Sequence, residues 1–565
     1  MTLEKLTRAR TALLSAACIA AAACATAPVA TKSARDPATD AAVAASAAET
    51  TAAARIKADV AWLADDAREG REAGSKGYAA AAQYVAGRFE ALGLKAGGEN
   101  GSWFQQVPLR ASRRNLDLSH MSITRKGGES VDLVNLEDYI VSTSPIEKAE
   151  ISAPVVFVGY GVTDPSTDYD DYAGVDAKGK IVAVFSGGPA SMDSEKRAHF
   201  ASTGNKTQNA AAHGAAGIIL LATEESEKRY SWDRIKRFAT SVSMTWVGPD
   251  GEPEVPAKSM KVGGFMSNEG AAKLFEGAKV SYEELRKTEA DPKKKLTAFD
   301  LPVNVRMVGG ATFQDVMSPN VVGIIEGADP TLKAETVVLS AHLDAVGMDE
   351  PKEDDKNADV IKNGALDNAI GVATMIEAAR TFKESGVAPP RTIVFLAVTA
   401  EEKGLLGADY FAHFPTVAKE GIVANVNLDM PLVLYDFVDV VAFGAERSTL
   451  GEMVGDAANS MGLALSPDPM PEQGLFTRSD HYRFVEQGVP SVFLVVGFGN
   501  GGDKVFADFL ATNYHKPGDD ISQPINYDAA AKFADLNYRI AKAVAESSER
   551  PRWKEGDFFG DLFGE

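Results

Sequence analysis

The chain has 565 residues, too many for one ordinary hydrophobic core, so two or three domains are expected. At 45% hydrophobic and 24% charged residues it reads as soluble and globular, not as disordered or membrane-embedded. A net charge of -21, from 58 basic against 79 acidic residues, argues against nucleic-acid binding and suits a protein that holds cations.

Lys5, Arg8 and Arg10 precede a small-residue apolar run from Thr11 to Ala23, the pattern of a secretory signal over residues 1–24. Both cysteines, Cys18 and Cys24, fall inside it, so the exported chain has no disulfide framework and no thiol nucleophile. The run AAAC ending at Cys24 resembles a bacterial lipoprotein cleavage box, with alanine where leucine is usual. Two destinations stay open: a lipoprotein of the periplasm or outer membrane, anchored only through Cys24, and a plain secreted protein. Residues 25–52, rich in Ala, Thr and Pro, read as a flexible tether.

Over 53–115 apolar residues recur at helical spacing on both sides of a glycine- and charge-rich turn at 68–77, which predicts two helices. From Leu116 the pattern changes to short β-branched runs such as APVVFVGYGV, GKIVAVFSGGP and AAGIILLATEE, bounded by turn residues. They predict a β-rich insertion over 116–300. From 301 to 565, apolar strands (AETVVLSAHLD, PRTIVFLAVTAEE, GIVANVNLDM, VPSVFLVVGFG) alternate with helical stretches such as NAIGVATMIEAARTFKESG. Alternation of this kind predicts an α/β fold, a mostly parallel twisted sheet flanked by helices, to which the helices of 53–115 also belong.

Ligands of open α/β sheets bind beyond the carboxyl ends of the strands. His342 and Asp344 follow VVLSA, Glu401 and Glu402 follow IVFLAVTA, and Asp429 follows IVANVNL. Asp367 opens the helical stretch in GALDNAIG, and His515 lies in the late loop NYHKPGDD. Singly each has an ordinary reading: Asp367 as a helix cap, Glu401 and Glu402 as an acidic first turn, Asp429 as a strand end. Together they would put several uncompensated carboxylates at one buried edge, where cations are the economical compensation. Two histidines and three carboxylates suffice for two ions if one carboxylate bridges them, as in two-metal hydrolysis. Imidazole with carboxylate and no thiolate suits Zn²⁺ first, with Co²⁺ or Mn²⁺ as alternatives.

In order and spacing, H-x-D, GALDNAIG, TAEEKGLLGADYF, NLDM, SDHYRFVEQGVPS and YHKPGDD resemble the M28 family of co-catalytic zinc aminopeptidases over about Asn304 to Asn526. The resemblance implies a zinc-exopeptidase-like fold and two zinc ions per chain. One would be held by His342, Asp367 and Asp429, the other by Asp367, Glu402 and His515. It further implies Glu401 as general base and Asp344 as the carboxylate orienting the ligating histidine. Tyr514 and Arg478 fall where some members contact the substrate's carbonyl oxygen or the product. The β-rich insertion resembles a protease-associated (PA) domain, which implies a wall or gate for the cleft. His213 reads as a helix-end residue and His481 as a non-ligand.

The activity implied is metal-assisted hydrolysis of peptide bonds, releasing N-terminal residues from peptides. Carboxypeptidases and glutaminyl cyclases on the same scaffold, and a non-catalytic surface protein that captures peptides, are the alternatives.

Overall fold

The computed structural model describes residues 35–143, 145–351, 355 and 357–564. The signal-like segment, Cys18, Cys24 and the first part of the expected tether lie outside the described residues.

The rest of that expected tether is ordered. Pro37–Ala48 is a helix, capped by the Asp36 side chain, which accepts from the backbone N–H of Ala38 and Thr39. Val43 packs into the main core, and the buried Ser46 hydroxyl donates to Asp59 at 2.7 Å. An alanine-rich run looks like low complexity, yet alanine is also the strongest helix former, and a face that can be buried decides the outcome.

A large sheet runs, edge to edge, through Ala464–Ser466, Asp439–Phe443, Ser491–Val496, Ile422–Leu428, Thr336–His342, Thr392–Val398, Ala311–Ile325, Phe104–Arg114 and Ser243–Trp246. The strand Thr336–His342 pairs parallel with both neighbours, whereas Ala311–Ile325, Phe104–Arg114 and Ser243–Trp246 extend the sheet antiparallel. Every residue of Thr336–His342 is buried. Val337, Leu339 and Ala341 face a layer containing Ala52–Leu63, Lys76–Ala91, Ile370–Glu384 and Tyr527–Glu546. Val338 faces the opposite layer, with Phe411 and Phe484. Burial on both faces is what makes the central strands read as continuous apolar runs.

A second sheet of eight strands is built between Phe104–Arg114 and Ala311–Ile325. Its middle strands, Ala149–Phe157, Ile181–Phe185, Gly217–Leu221 and Val262–Met266, pair in parallel. It differs from the expected insertion in two ways. It continues to Gly309, because Phe299–Gly309 pairs with both His120–Arg125 and Ala149–Phe157. In addition, Ser243–Trp246 leaves it for the edge of the large sheet, where the Trp246 indole donates to Asp409 at 2.7 Å.

The two sheets are tied together elsewhere as well. Arg447 pairs with Glu195, in the first turn of the helix Ser194–Ala201, and with Asp557 at 2.9 Å. His199 meets the Tyr482 hydroxyl at 2.5 Å, while Phe200 and Phe558 pack together. Among the described residues no helix is long and apolar enough to cross a membrane.

Candidate metal centre

Ile422–Leu428, Thr336–His342 and Thr392–Val398 are adjacent and parallel, so their carboxyl ends open on one edge. His342 ends the middle strand, Asp429 follows its neighbour on one side, and Glu401 and Glu402 follow the other. His342 Nε2 lies 3.1 Å from Asp429 Oδ1 and 3.2 Å from Asp367 Oδ1. His515 Nε2 lies 3.2 Å from Asp367 Oδ2 and 3.0 Å from Glu402 Oε2. The result is two triads, His342–Asp367–Asp429 and Asp367–Glu402–His515, whose donor atoms lie within 4.8 Å of one another in each and which share Asp367.

Backbone and side-chain bonds fix each donor. Asp519 accepts from the N–H of Leu366 at 2.8 Å and of Asp367 at 3.0 Å, and the Asp367–Asn368 peptide is cis. The Asn368 amide donates to Leu428 and accepts from Gly371 and Met430, tying the Asp367 loop to the Asp429 strand end. Ser479 donates to Asp429 Oδ2 at 2.5 Å. Beneath the site Arg71, 0% exposed, donates to the carbonyls of Leu63, Leu343, Asn363 and Gly364.

Asp344 departs from the role inferred for it. His342 Nδ1 bonds its backbone carbonyl at 3.1 Å, and its carboxylate stands 3.9 Å away. That carboxylate accepts instead from the N–H groups of Glu401 and Glu402, at 3.1 and 3.3 Å. It therefore positions the glutamate pair, while a carbonyl orients the imidazole. Tyr514 stacks on His515, with ring centroids 3.8 Å apart, and Arg478 is exposed, one position before Ser479. His481 is buried against Phe476 and Phe493, and burial pushes its imidazole down to about 3, so it stays neutral outside both triads. His213 ends the helix Thr203–Ala212, stacked on Tyr172.

The electrostatics are those of a site short of positive charge. Burial opposes a charged His342, yet Asp429, Glu401 and Asp367 hold it well above the usual imidazole value. His515 is only partly buried; burial opposes its charge too, but Glu402 and Asp367 raise it to about 10. Burial works against an ionised Asp367, and the two histidines override it and hold that carboxyl low. Burial, with Glu402, Asp429 and Asp480 close by, pushes Glu401 well above the carboxylate range. Burial also lifts Asp344 to about 7 and Asp480 to about 8. Glu402 Oε1 is buried with no hydrogen-bond partner among the described residues. Two imidazoles, three carboxylates and an orphaned carboxylate oxygen fit a pair of divalent cations.

Comparison with known proteins agrees with the residue pattern. Residues 320–541 match the model of Peptidase family M28. A "Probable zinc metalloprotease" of Pyricularia oryzae is 34% identical over 284 residues, 45% of this chain and 55% of the relative. A "probable leucine aminopeptidase 2" of Aspergillus oryzae is 27% identical over 233 residues, 37% of this chain and 41% of the relative. The chain spans about half or less of the length of the curated relatives it matches. Among solved structures, "Aminopeptidase from Aneurinibacillus sp. strain AM-1" is similar with a TM-score of 0.48 and 18% identity, over 90% of this chain and 97% of that one.

The sequence pattern did not single out Arg71, Asp519 or Ser479. Asp519 and Ser479 stood inside quoted motifs, four residues after His515 and one before Asp480. Arg71 had no signal beyond being a charge in a turn.

Proposed function

We propose that the chain is a zinc-dependent metallopeptidase with a two-ion centre that releases N-terminal residues from peptides. One observation supports this above the others: two triads share Asp367 while Glu401, beside both, belongs to neither. A purely structural metal site has no use for an unligated carboxylate beside it.

Zinc, when bound, supplies Lewis acidity and lowers the pKa of a coordinated water. Glu401 takes a proton from the attacking water and returns it to the leaving amine, and its elevated pKa lets it hold that proton in between. Asp344 keeps Glu401 in place through its backbone N–H. Tyr514 is held well above the ordinary phenol range by burial and by Asp367, Glu402 and Glu401, so its hydroxyl stays a donor for the developing oxyanion. The surplus of carboxylates favours a substrate's free α-ammonium, which supports aminopeptidase over carboxypeptidase polarity.

The test is release of a chromophore from unblocked and N-acetylated aminoacyl amides, before and after chelation and zinc restoration. Turnover restricted to unblocked substrates, lost on chelation and recovered with zinc, is expected. Turnover that survives full chelation, or that prefers blocked substrates, would overturn the reading.

A further inference from the structure

The second sheet holds a cavity of about 340 Å³ that the metal centre does not use. It lies beyond the carboxyl ends of Ile181–Phe185, Gly217–Leu221 and Val262–Met266, where parallel sheets characteristically receive ligands. Leu220, Trp232, Ile235 and Phe265 give it an apolar lining, and Gly187 and Gly188 leave the backbone open at the strand end. Its far wall is the turn Glu472–Gly474, which belongs to the catalytic part of the chain.

That wall leads directly to the metal centre. Gln473 stands six positions before Ser479, whose hydroxyl donates to Asp429. Arg229, from the second sheet, donates to the carbonyls of Glu472 and Gln473, both at 3.1 Å. Arg229 thus ties the second sheet to the turn that leads along the chain to Ser479 and Asp429.

Two arginines, Arg197 and Arg229, stand at the rim with two glutamates, Glu225 and Glu472. Arg197 reaches Glu225 only at 4.0 Å, the limit of an ion pair, so an incoming carboxylate can replace that contact. We propose that this cavity is a distal subsite for peptide substrates, taking an apolar side chain on its lining and the peptide's terminal carboxylate at Arg197 and Arg229. This rests on the metallopeptidase reading and narrows it: the preferred substrates are oligopeptides with a free carboxyl end, long enough to reach from the metals to the second sheet.

The test is calorimetric titration of zinc-loaded Glu401→Gln protein, which reads binding without turnover, with an unblocked apolar hexapeptide and its C-terminal amide. The free acid should bind about tenfold more tightly than the amide, the scale of one charge-assisted contact. Adding Arg197→Ala should abolish that difference, Arg197→Lys should restore part of it, and Ala201→Trp, which narrows the cavity, should weaken both peptides. With Glu401 intact, Arg197→Ala should leave kcat/KM for an aminoacyl amide unchanged. Equal binding of acid and amide, or no binding of either, would overturn the subsite. A wild-type protein inert toward aminoacyl amides would overturn the peptidase reading separately, because the titration does not depend on turnover.

Discussion

Glu401 and Arg71 stand at the two extremes of what one residue does here. Glu401 lies outside both triads, so Glu401→Gln should keep its zinc, measured by metal analysis, and lose about a thousandfold in kcat. Retention of full turnover by a folded, zinc-loaded variant would remove the general base from the mechanism. Arg71 touches no donor atom, yet through four carbonyls it fastens the chain after His342, the loop before Asp367 and the end of the helix Ala52–Leu63. Arg71→Met removes all four bonds, leaving only the Gly364 carbonyl with another donor, the Ala369 N–H, and should cost about 3 kcal/mol of stability, read in denaturant unfolding, with weaker zinc retention. The contrast explains how much of the site the sequence made legible. His342, Glu401, Glu402 and Asp429 each follow an apolar strand, so their common edge could be read from order alone. Arg71 Nε meets the Leu343 carbonyl across 272 positions, and a bond to a backbone atom leaves no mark on the residue types at the far end. Asp344 shows the same limit: its type was informative, but which of its oxygens faces the imidazole depends on the local backbone.

At the scale of elements, the strands and their faces were legible and their partners only partly so. The central strands announced themselves by burial on both faces. Ser243–Trp246 did not reveal that it abandons its own sheet, because its partner Phe104–Arg114 is remote in sequence. The helix Thr203–Ala212 carries a further testable feature in Lys206. Its ammonium is 1% exposed, donates to the Tyr160 carbonyl at 2.6 Å and has Asp171 near it, while burial brings its pKa down to about 7 from 10.5. Between those two values the unfolded chain binds the proton that the folded one has released, so this group makes stability rise with pH from 7 to about 10. Thermal unfolding across that window should show a rise in wild type that is reduced in Lys206→Met. Identical pH profiles would mean that Lys206 is charged or solvated in the folded state.

For the whole molecule, Arg447 is the clearest bond between layers, joining Glu195 beside the second sheet to Asp557 near the C-terminus under the rings of Phe476 and Phe559. Arg447→Met strands the buried Glu195 carboxylate, while Asp557 keeps the N–H groups of Phe559 and Gly560, and should cost about 3 kcal/mol, with faster amide exchange over 194–201 and 557–563. Unchanged exchange in both segments would show that aromatic packing alone holds the layers together. Chelation should lower the melting temperature and zinc should restore it, since an ion bound only by the folded chain stabilises it by mass action.

The junction between the sheets has a consequence for assembly. Arg114 and Ala311 are directly paired, so the chain departs and returns through two neighbouring strands of one ladder. For the large sheet, everything between is a loop whose closure entropy grows only logarithmically, about 0.6 kcal/mol for each doubling of length. The stem by itself would therefore tolerate inserts of many sizes. Ser243–Trp246 removes that freedom by stitching the middle of the loop back onto the sheet's edge. Excising the second sheet as a cassette would take an edge strand of the large one with it, so the two should be made, unfolded and inherited as one piece.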